Sequence, residues 1–275
     1  MEKNKKLITQ RISKVICFLL IFTAFLGIGS KIFIPKKNSA EYGNKNYYGN
    51  SYHGERANSI DIVVVGNSSA YKSFSPLELW NKYGYTSFVC GAPAQKIQEG
   101  YYMLENFLKE QKPKVVIYET EGIFNSYGKK IKSSYNQAKR DLIFLSNEID
   151  GINATLDVVT ANICPLLKYH NRWSSLKPED FTLEPDYSKH YVSKGYVLTN
   201  KVKPYRGNKN YMKPSDYTTP IQYTNLYYLN KMKELCDKNG AEFVLMSSPL
   251  PRAWNDERHK AVKAYAEKNN IKYLD

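Results

Sequence analysis

Cysteine and histidine are both scarce in this sequence, with four of each among 275 residues. The spacing of Cys17, Cys90, Cys164 and Cys236 matches no metal-ligand motif, and three cysteines beyond the N-terminal apolar run are too few for a disulfide framework. The sequence therefore predicts no metal and no cofactor. It favours thiols that are buried as small apolar side chains.

Two signatures of nucleotide and nucleic-acid binding are also lacking. No Gly-x-Gly-x-x-Gly follows the first predicted strand. The net charge of +14 would suit a nucleic acid, but there is no arginine-rich helix and no aromatic RNA-binding strand. Residues 1–40 hold eight Lys or Arg and one Glu, so half of the excess charge flanks one apolar run. We expect no nucleic-acid partner, and a mildly basic domain that suits an anionic cell envelope.

The sequence has one long apolar run, and it lies near the N-terminus. Residues 15–30 carry no charge, and the run continues past Lys31 to residue 34, which is long enough to cross a bilayer. We predict a cytoplasmic tail at 1–14 and a transmembrane signal anchor at 15–34. A cleaved signal peptide is the alternative, for which Gly27 and Gly29 offer a poor cleavage site. Five cations before the run and three after it place the remaining chain outside the cytoplasm.

The remaining chain alternates between predicted strands and helices. Residues 35–59 are rich in Asn, Gly, Tyr and Lys and predict a linker. The domain at 60–275 has strands at 62–65, 85–89, 114–119, 242–246 and 271–274, with helices at 76–83, 94–111, 224–239 and 255–269. An insertion at 126–220 is expected to be partly helical, at 141–149 and 154–167. This order predicts an α/β fold with a doubly wound, flavodoxin-like parallel sheet of about five strands.

Small and polar residues follow the predicted strands. Ser68 lies in a predicted loop after the first strand, Gly91 follows the second, and Glu119 ends the third. Ligands bind at the carboxyl edge of open α/β sheets, so these residues are candidates for one site. Taken alone, Gly-Asn-Ser after a strand is also ordinary turn chemistry.

With these residues in place, the domain resembles the SGNH/GDSL hydrolase superfamily, in particular the membrane-anchored SGNH-like proteins of bacterial cell envelopes. Gly66-Asn67-Ser68-Ser69 is similar to the family's first block, and Gly91 to the glycine of the second. Two further stretches, residues 169–173 and 248–255, also resemble this subgroup.

The resemblance implies a role for several residues. Ser68 takes the position of the nucleophile, and the backbone N–H groups of Ser68 and Gly91 form the oxyanion hole. The family's third donor, an Asn after strand three, is missing. Glu119 stands at the end of that strand, either to orient the site or bind substrate hydroxyls, or simply as a charged residue at a strand end. His170 is a candidate substrate contact, with a structural role as the alternative.

The general base is the larger departure from the family pattern. The Asp-x-x-His block of the family follows strand five, whereas this sequence stops at Asp275. Asp256 and His259 match the spacing but precede strand five, and Asp256 also suits the first turn of a helix. Either the true pair lies beyond Asp275 and the sequence is a fragment, or Asp256 and His259 take its place, or the domain is not catalytic.

The resemblance implies an esterase or O-acyltransferase on the outer side of a single-pass cell-membrane anchor. Its expected substrates are acyl groups of cell-envelope polysaccharides, and a membrane-bound acyltransferase is a possible partner. The alternative is an inactive scaffold or glycan-binding module in such an assembly. Trp173 and Trp254 would then either offer stacking faces for sugars or pack as ordinary aromatic residues.

Overall fold

A computed structural model of the chain describes residues 2–33, 51–125, 166, 169–182, 193–198 and 204–275. The chain forms two compact units. The first contains Met1–Lys37 and Leu156–Asp186, and the second contains Asn38–Thr155 and Tyr187–Asp275. Each unit is described separately.

The first unit is built on one long helix, α1 (Glu2–Phe33). Its segment Lys6–Phe33 has a mean hydropathy of 2.2 and is long and apolar enough to cross a membrane or to serve as a signal sequence. Of the membrane-spanning length expected at 15–34, residues 15–33 fall on this helix, and residue 34 lies outside the described residues. Large apolar side chains such as Phe18, Leu20 and Phe25 are exposed along it, and a bilayer would cover them.

The end of α1 packs against two short 3₁₀ helices, His170–Ser175 and Pro178–Phe181. The Ser30 hydroxyl accepts a hydrogen bond from the backbone N–H of Leu166 at 3.2 Å. Arg172 donates to the carbonyl oxygen of Phe33 and pairs with the buried Asp180 at 2.9 Å. Through Arg172, the aromatic-rich stretch at 169–173 thus stabilises the packing of this unit.

The second unit contains a five-stranded, all-parallel sheet, so the α/β prediction is confirmed at this level. The strands are β1 (Ile62–Gly66), β2 (Ser87–Gly91), β3 (Val115–Glu119), β4 (Glu242–Met246) and β5 (Lys272–Leu274). Their order across the sheet is β2-β1-β3-β4-β5. The β-branched residues of β1 favour this central position, since Val63, Val64 and Val65 are all fully buried.

The helices of this unit are α2 (Ser68–Ser73), α3 (Pro76–Tyr83), α4 (Ile97–Glu110), α5 (Tyr223–Lys238) and α6 (Asp256–Lys268). Helix α3 begins and ends where its sequence predicts. Ser75 caps its first turn by accepting the N–H of Glu78, and Gly84 ends it in the left-handed conformation, with φ of 71°.

Helix α2 was not expected, because residues 67–69 were assigned to a loop. Asn67 acts as N-cap, and its side chain accepts the backbone N–H of Ser69 at 2.8 Å. Ser68 is consequently the first residue of a short helix. A six-residue helix is too short to show a 3.6-residue pattern in sequence, which is why it was missed.

Residues on both faces of the sheet are buried. Val63 and Val65 contribute to the larger apolar cluster, whereas Val64 joins a smaller one with Ala70 and Tyr71 of α2. The alternation follows from the two-residue period of a strand. The contacts of Ala70 and Tyr71 with Val64 hold α2, the helix that begins with Ser68, on that face of the sheet.

The domain begins earlier than the predicted start at residue 60. Tyr52 lies in a 3₁₀ helix, Ser51–Gly54, is 1% exposed and packs edge-on against Phe107, with ring centroids 4.9 Å apart. Residues 51–59 therefore belong to the folded unit rather than to a linker at 35–59. Tyr52 is one of the tyrosines on which the linker prediction rested, and its burial anchors this stretch to the domain.

Segment 193–197 covers the edge of the sheet beside β2. The backbone N–H of Val89 donates to the carbonyl oxygen of Lys194 at 2.9 Å, and Val197 donates to that of Tyr71 at 2.8 Å. Such cover protects an edge strand from pairing with another chain.

Some sequence predictions concern residues outside those that the structure describes. They are the helix at 141–149, all of 154–167 except residue 166, Cys164 and His190.

Candidate functional site

Ser68 follows the carboxyl end of β1, whereas Gly91, which was expected to follow the second strand, is the last residue of β2. Gly66 and Gly91 are register partners in the β1–β2 pair. A Cβ atom on Gly91 would lie 2.9 Å from the carbonyl oxygen of Gly66 and 3.4 Å from that of Asn67. Only a glycine lets the two strand ends approach this closely. The backbone that leads into Ser68 is thus in contact with Gly91.

Ser68 is half-buried, and no hydrogen bond of its hydroxyl group is found among the described residues. Its neighbour Ser69 differs in both respects. Ser69 is 7% exposed, and its hydroxyl donates a short hydrogen bond to the carboxylate of Glu121. Of the two adjacent serines, Ser68 is the more accessible one, and Ser69 helps to hold the turn.

Glu121 belongs to a pair of carboxyl groups that follow β3. Glu119 is 1% exposed, accepts the backbone N–H of Glu121 at 3.2 Å and that of Ser248 at 3.4 Å. Burial raises the pKa of the Glu119 carboxyl to about 8, the charge of Glu121 adds to the rise, and these hydrogen bonds oppose it. This buried carboxyl group ties the end of β3 to Ser248, which follows β4.

Gly66 lies in close contact with Glu119. A Cβ atom at Gly66 would lie 2.8 Å from Cβ of Glu119 and 2.9 Å from Cβ of Ala70. The glycine therefore makes room for both the buried acid and the helix that carries Ser68. On the other side of Ser69, the Ser73 hydroxyl donates to the Ser69 carbonyl oxygen at 2.6 Å and contacts the Ser248 hydroxyl at 2.9 Å.

His259 is paired with Asp275 rather than with Asp256. Its Nδ1 atom lies 2.8 Å from Oδ2 of Asp275, although the ring N–H is not aligned along that line as in a hydrogen bond. Asp256 instead forms an ion pair with Lys260 at 2.7 Å and accepts the backbone N–H of Ser215 at 2.9 Å. The hydrogen bond from Lys260 lowers the pKa of Asp256. The structure thus gives the acid and the histidine of the Asp-x-x-His stretch different partners.

A chain of hydroxyl groups runs from Asp275 along the edge of the sheet. Tyr273 donates to Asp275 at 3.2 Å and contacts the Ser247 hydroxyl at 2.6 Å, and Ser247 contacts the Thr120 hydroxyl at 2.7 Å. Burial raises the pKa of Tyr273, so its phenol keeps its proton. Among the described residues, no hydrogen bond or ion pair joins His259 to Ser68. Three strand spacings, about 14 Å, separate β1 from β5.

The other predicted residues differ in how far they are exposed. His170 is an exposed residue of the first unit. Trp254 is 5% exposed and packs edge-on against Phe124, with centroids 6.0 Å apart, so its ring does not offer an open face to a sugar, whereas Trp173 is 74% exposed. Cys90 and Cys236 are buried free thiols. No group of three or more potential metal ligands is present in the described part of the chain.

Sequence reasoning missed the partners of these residues more than the residues themselves. Ser69, Glu121, Ser248 and Tyr273 were not singled out as site residues. One available signal was the spacing of Glu119 and Glu121, which puts a second carboxylate two residues beyond the end of β3, in the first turn of a 3₁₀ helix. The contacts of Ser248 and Tyr273 depend on strand order, which the sequence alone does not specify.

Searches of the chain against protein-family models, curated proteins and solved structures found no match.

Proposed function

We propose that this chain is an extracytoplasmic serine esterase or O-acyltransferase of the SGNH type, acting on acyl groups of cell-envelope glycans. The observation that carries the proposal is the placement of Ser68. It is an accessible hydroxyl at the end of a buried parallel strand, next to a glycine whose backbone meets the same turn. The strand order β2-β1-β3-β4-β5 supports a doubly wound, flavodoxin-like fold, in which ligands bind at that edge.

In the proposed reaction, the Ser68 oxygen attacks the carbonyl carbon of an ester. The hydroxyl proton passes to a general base, and the backbone N–H groups of Ser68 and Gly91 stabilise the oxyanion. Collapse of the tetrahedral intermediate returns a proton to the departing sugar oxygen and leaves an acyl group on Ser68. Water then releases the acyl group in an esterase, whereas a second sugar hydroxyl accepts it in a transferase.

No general base contacts the Ser68 hydroxyl among the described residues. His259 with Asp275 is the imidazole and carboxylate pair on the described edge, but its contacts lie on the β4 and β5 side. His259 acts as the base only if the ends of β4 and β5 move toward Ser68. We also propose that α1 anchors the chain and holds the sheet domain outside the cytoplasm, near envelope glycans and any membrane-bound acyltransferase.

A second candidate function is a non-catalytic SGNH-like scaffold or glycan-binding module. The observation in its favour is that no base contacts the Ser68 hydroxyl among the described residues. A general base is usually within about 3 Å of the proton's donor atom, although apo geometry alone does not exclude one.

The test uses the full chain in detergent micelles with p-nitrophenyl acetate and a fluorophosphonate probe. We expect Ser68→Ala to reduce hydrolysis about 10³-fold or more and to abolish probe labelling, since the covalent step is lost. Ser69→Ala is the matched control and should retain labelling at Ser68, located by mass spectrometry. Labelling at Ser69, or an unchanged rate in Ser68→Ala, would reject the assignment. A chain with no turnover and no labelling would favour the scaffold.

A further inference from the structure

A pocket of about 390 Å³ lies between residues 208–215 and 251–258. The second stretch follows β4, so the pocket opens at the same edge of the sheet as Ser68. Its volume is within the range of small-ligand sites. Its walls are mainly polar and charged side chains, which suits a ligand with many hydroxyl groups.

The two carboxylates of the pocket are already engaged. Asp256 pairs with Lys260 and accepts the backbone N–H of Ser215. Glu257 accepts hydrogen bonds from the hydroxyl groups of Ser215 at 3.0 Å and Thr219 at 3.2 Å. These acids attach the 215–219 segment to the start of α6, and most of their acceptor capacity is used in doing so.

The cations that line the pocket have fewer ion-pair partners than its acids. Lys213 and Arg252 are exposed, and neither has an ion-pair partner among the described residues. Arg258 is half-buried, lies over the Phe124 ring at 4.9 Å from its centroid and donates to the carbonyl oxygen of Ala253. The pocket therefore presents three positively charged side chains, while Asp256 is paired with Lys260 and Glu257 is the remaining negative charge. A ligand that complements it carries negative charge.

Arg258 also links the pocket to the turn that holds Ser68. Its guanidinium group lies over the ring of Phe124, and Phe124 is the last residue of the 3₁₀ helix Thr120–Phe124, which carries Glu121. Glu121 in turn accepts the hydroxyl of Ser69, the neighbour of Ser68. These contacts connect the inner wall of the pocket to the turn on which the acyl group reacts.

We infer that this pocket is a subsite for an anionic saccharide, in which Lys213 and Arg252 bind a carboxylate or phosphate group. The inference rests on the proposed function, because it names the class of glycan that would be brought to Ser68. Arg258 forms the inner wall, and Asn208 and Asn210 supply neutral polar groups for sugar hydroxyls.

The test is calorimetric titration of the full-length Ser68→Ala chain in detergent micelles. Binding is then measured without turnover. The probes are a hyaluronan tetrasaccharide against neutral chitotetraose, and glucose 6-phosphate against glucose. We expect the charged member of at least one pair to bind about tenfold more tightly, and the double variant Lys213→Ala/Arg252→Ala to lose that preference. A preference for hyaluronan tetrasaccharide over chitotetraose would identify a carboxylate ligand, and a preference for glucose 6-phosphate over glucose would identify a phosphate ligand.

The matched control is Arg206→Ala/Lys209→Ala, which also removes two positive charges, at residues that do not line the pocket. It should change binding less than twofold. Equal losses in both double variants, or no preference for charged sugars, would overturn the inference even if Ser68-dependent hydrolysis is found. Charged-sugar binding in a chain whose hydrolysis ignores Ser68 would support the pocket and reject the esterase.

Discussion

Glu119 shows how a single residue ties stability to pH in this fold. It is an acid at the end of a central strand, almost completely shielded from water, and its ionised form is held by two backbone N–H groups while being opposed by burial and by Glu121. Burial is the largest of these effects, so the carboxyl group keeps its proton near neutral pH.

This predicts a pH dependence that can be measured. The pKa of Glu119 rises from 4.5 to about 8 on folding, so the native state binds more protons between those values. The free energy of unfolding should therefore fall as pH rises through that window, by at most about 1.4 kcal/mol per pH unit. Thermal unfolding of the full chain in detergent, from pH 5 to 9, would show the slope relative to Glu119→Gln.

Two variants separate the causes. Glu119→Gln loses one acceptor, so it should be less stable than the wild type at low pH. It also removes the slope that Glu119 contributes, so this difference should shrink and then reverse as pH rises through the window. Glu121→Gln keeps the buried acid and removes the neighbouring charge, so its transition should move to lower pH. A constant stability difference between the wild type and Glu119→Gln across the range would show that Glu119 does not titrate there.

At the level of elements, the short connection from β1 to α2 positions the candidate nucleophile. The strand is held in the centre of the sheet by its neighbours β2 and β3. Asn67 then starts α2 directly, so Ser68 projects from the first turn of a helix and not from a longer loop. The close packing at Gly66 is what allows strand, helix and Glu119 to meet.

We expect Gly66→Ala to disturb this junction. The added methyl group would overlap Cβ atoms of Glu119 and Ala70, neither of which is the end of a flexible side chain. Overpacking of this kind costs about 1–3 kcal/mol, and a shifted α2 should also reduce fluorophosphonate labelling of Ser68. Thermal unfolding and labelling of the full chain would measure both.

Gly84→Ala is the comparison variant for this effect. Gly84 has a φ of 71° but no atom within 4 Å of the added carbon, so its cost is conformational only, about 1–2 kcal/mol. It lies at the far end of α3 and should leave labelling intact. Equal labelling in both variants would mean that the Gly66 contact does not position Ser68.

The whole molecule combines an apolar N-terminal helix with a sheet domain. In α1, the apolar side chains are exposed over its length, whereas the sheet domain buries its apolar residues in two clusters. A helix with that composition is either retained as an anchor or removed as a signal.

We expect the helix to be retained. The full chain should stay in the membrane pellet after alkaline carbonate extraction, with an intact mass that includes residue 1. Leu20→Lys/Phe22→Lys should release it, because each lysine near the centre of the span costs about 2.5–3.5 kcal/mol. Gln10→Lys/Ser13→Lys adds the same charge before residue 15 and should not. A mature chain that starts near residue 30 would identify a cleaved signal instead.

The sequence by itself determined the class of the sheet domain. The apolar runs of β1, β3 and β4, and the caps Ser75 and Gly84, are local signals, because burial on both faces and helix termini each demand particular residue types within a few positions. The apolar length of α1 is equally local. These features were predicted close to the observed bounds.

Only the tertiary structure decided which side chains meet. Strand order brings Glu119 to Ser248, Tyr273 to Ser247 and His259 to Asp275. Asp256, whose spacing to His259 suggested a pair, instead binds Lys260 four residues along the same helix. Tyr52 likewise joined the core from a stretch that resembled a linker. Contacts between residues far apart in sequence depend on how strands and helices are arranged in space, and no local pattern encodes that arrangement.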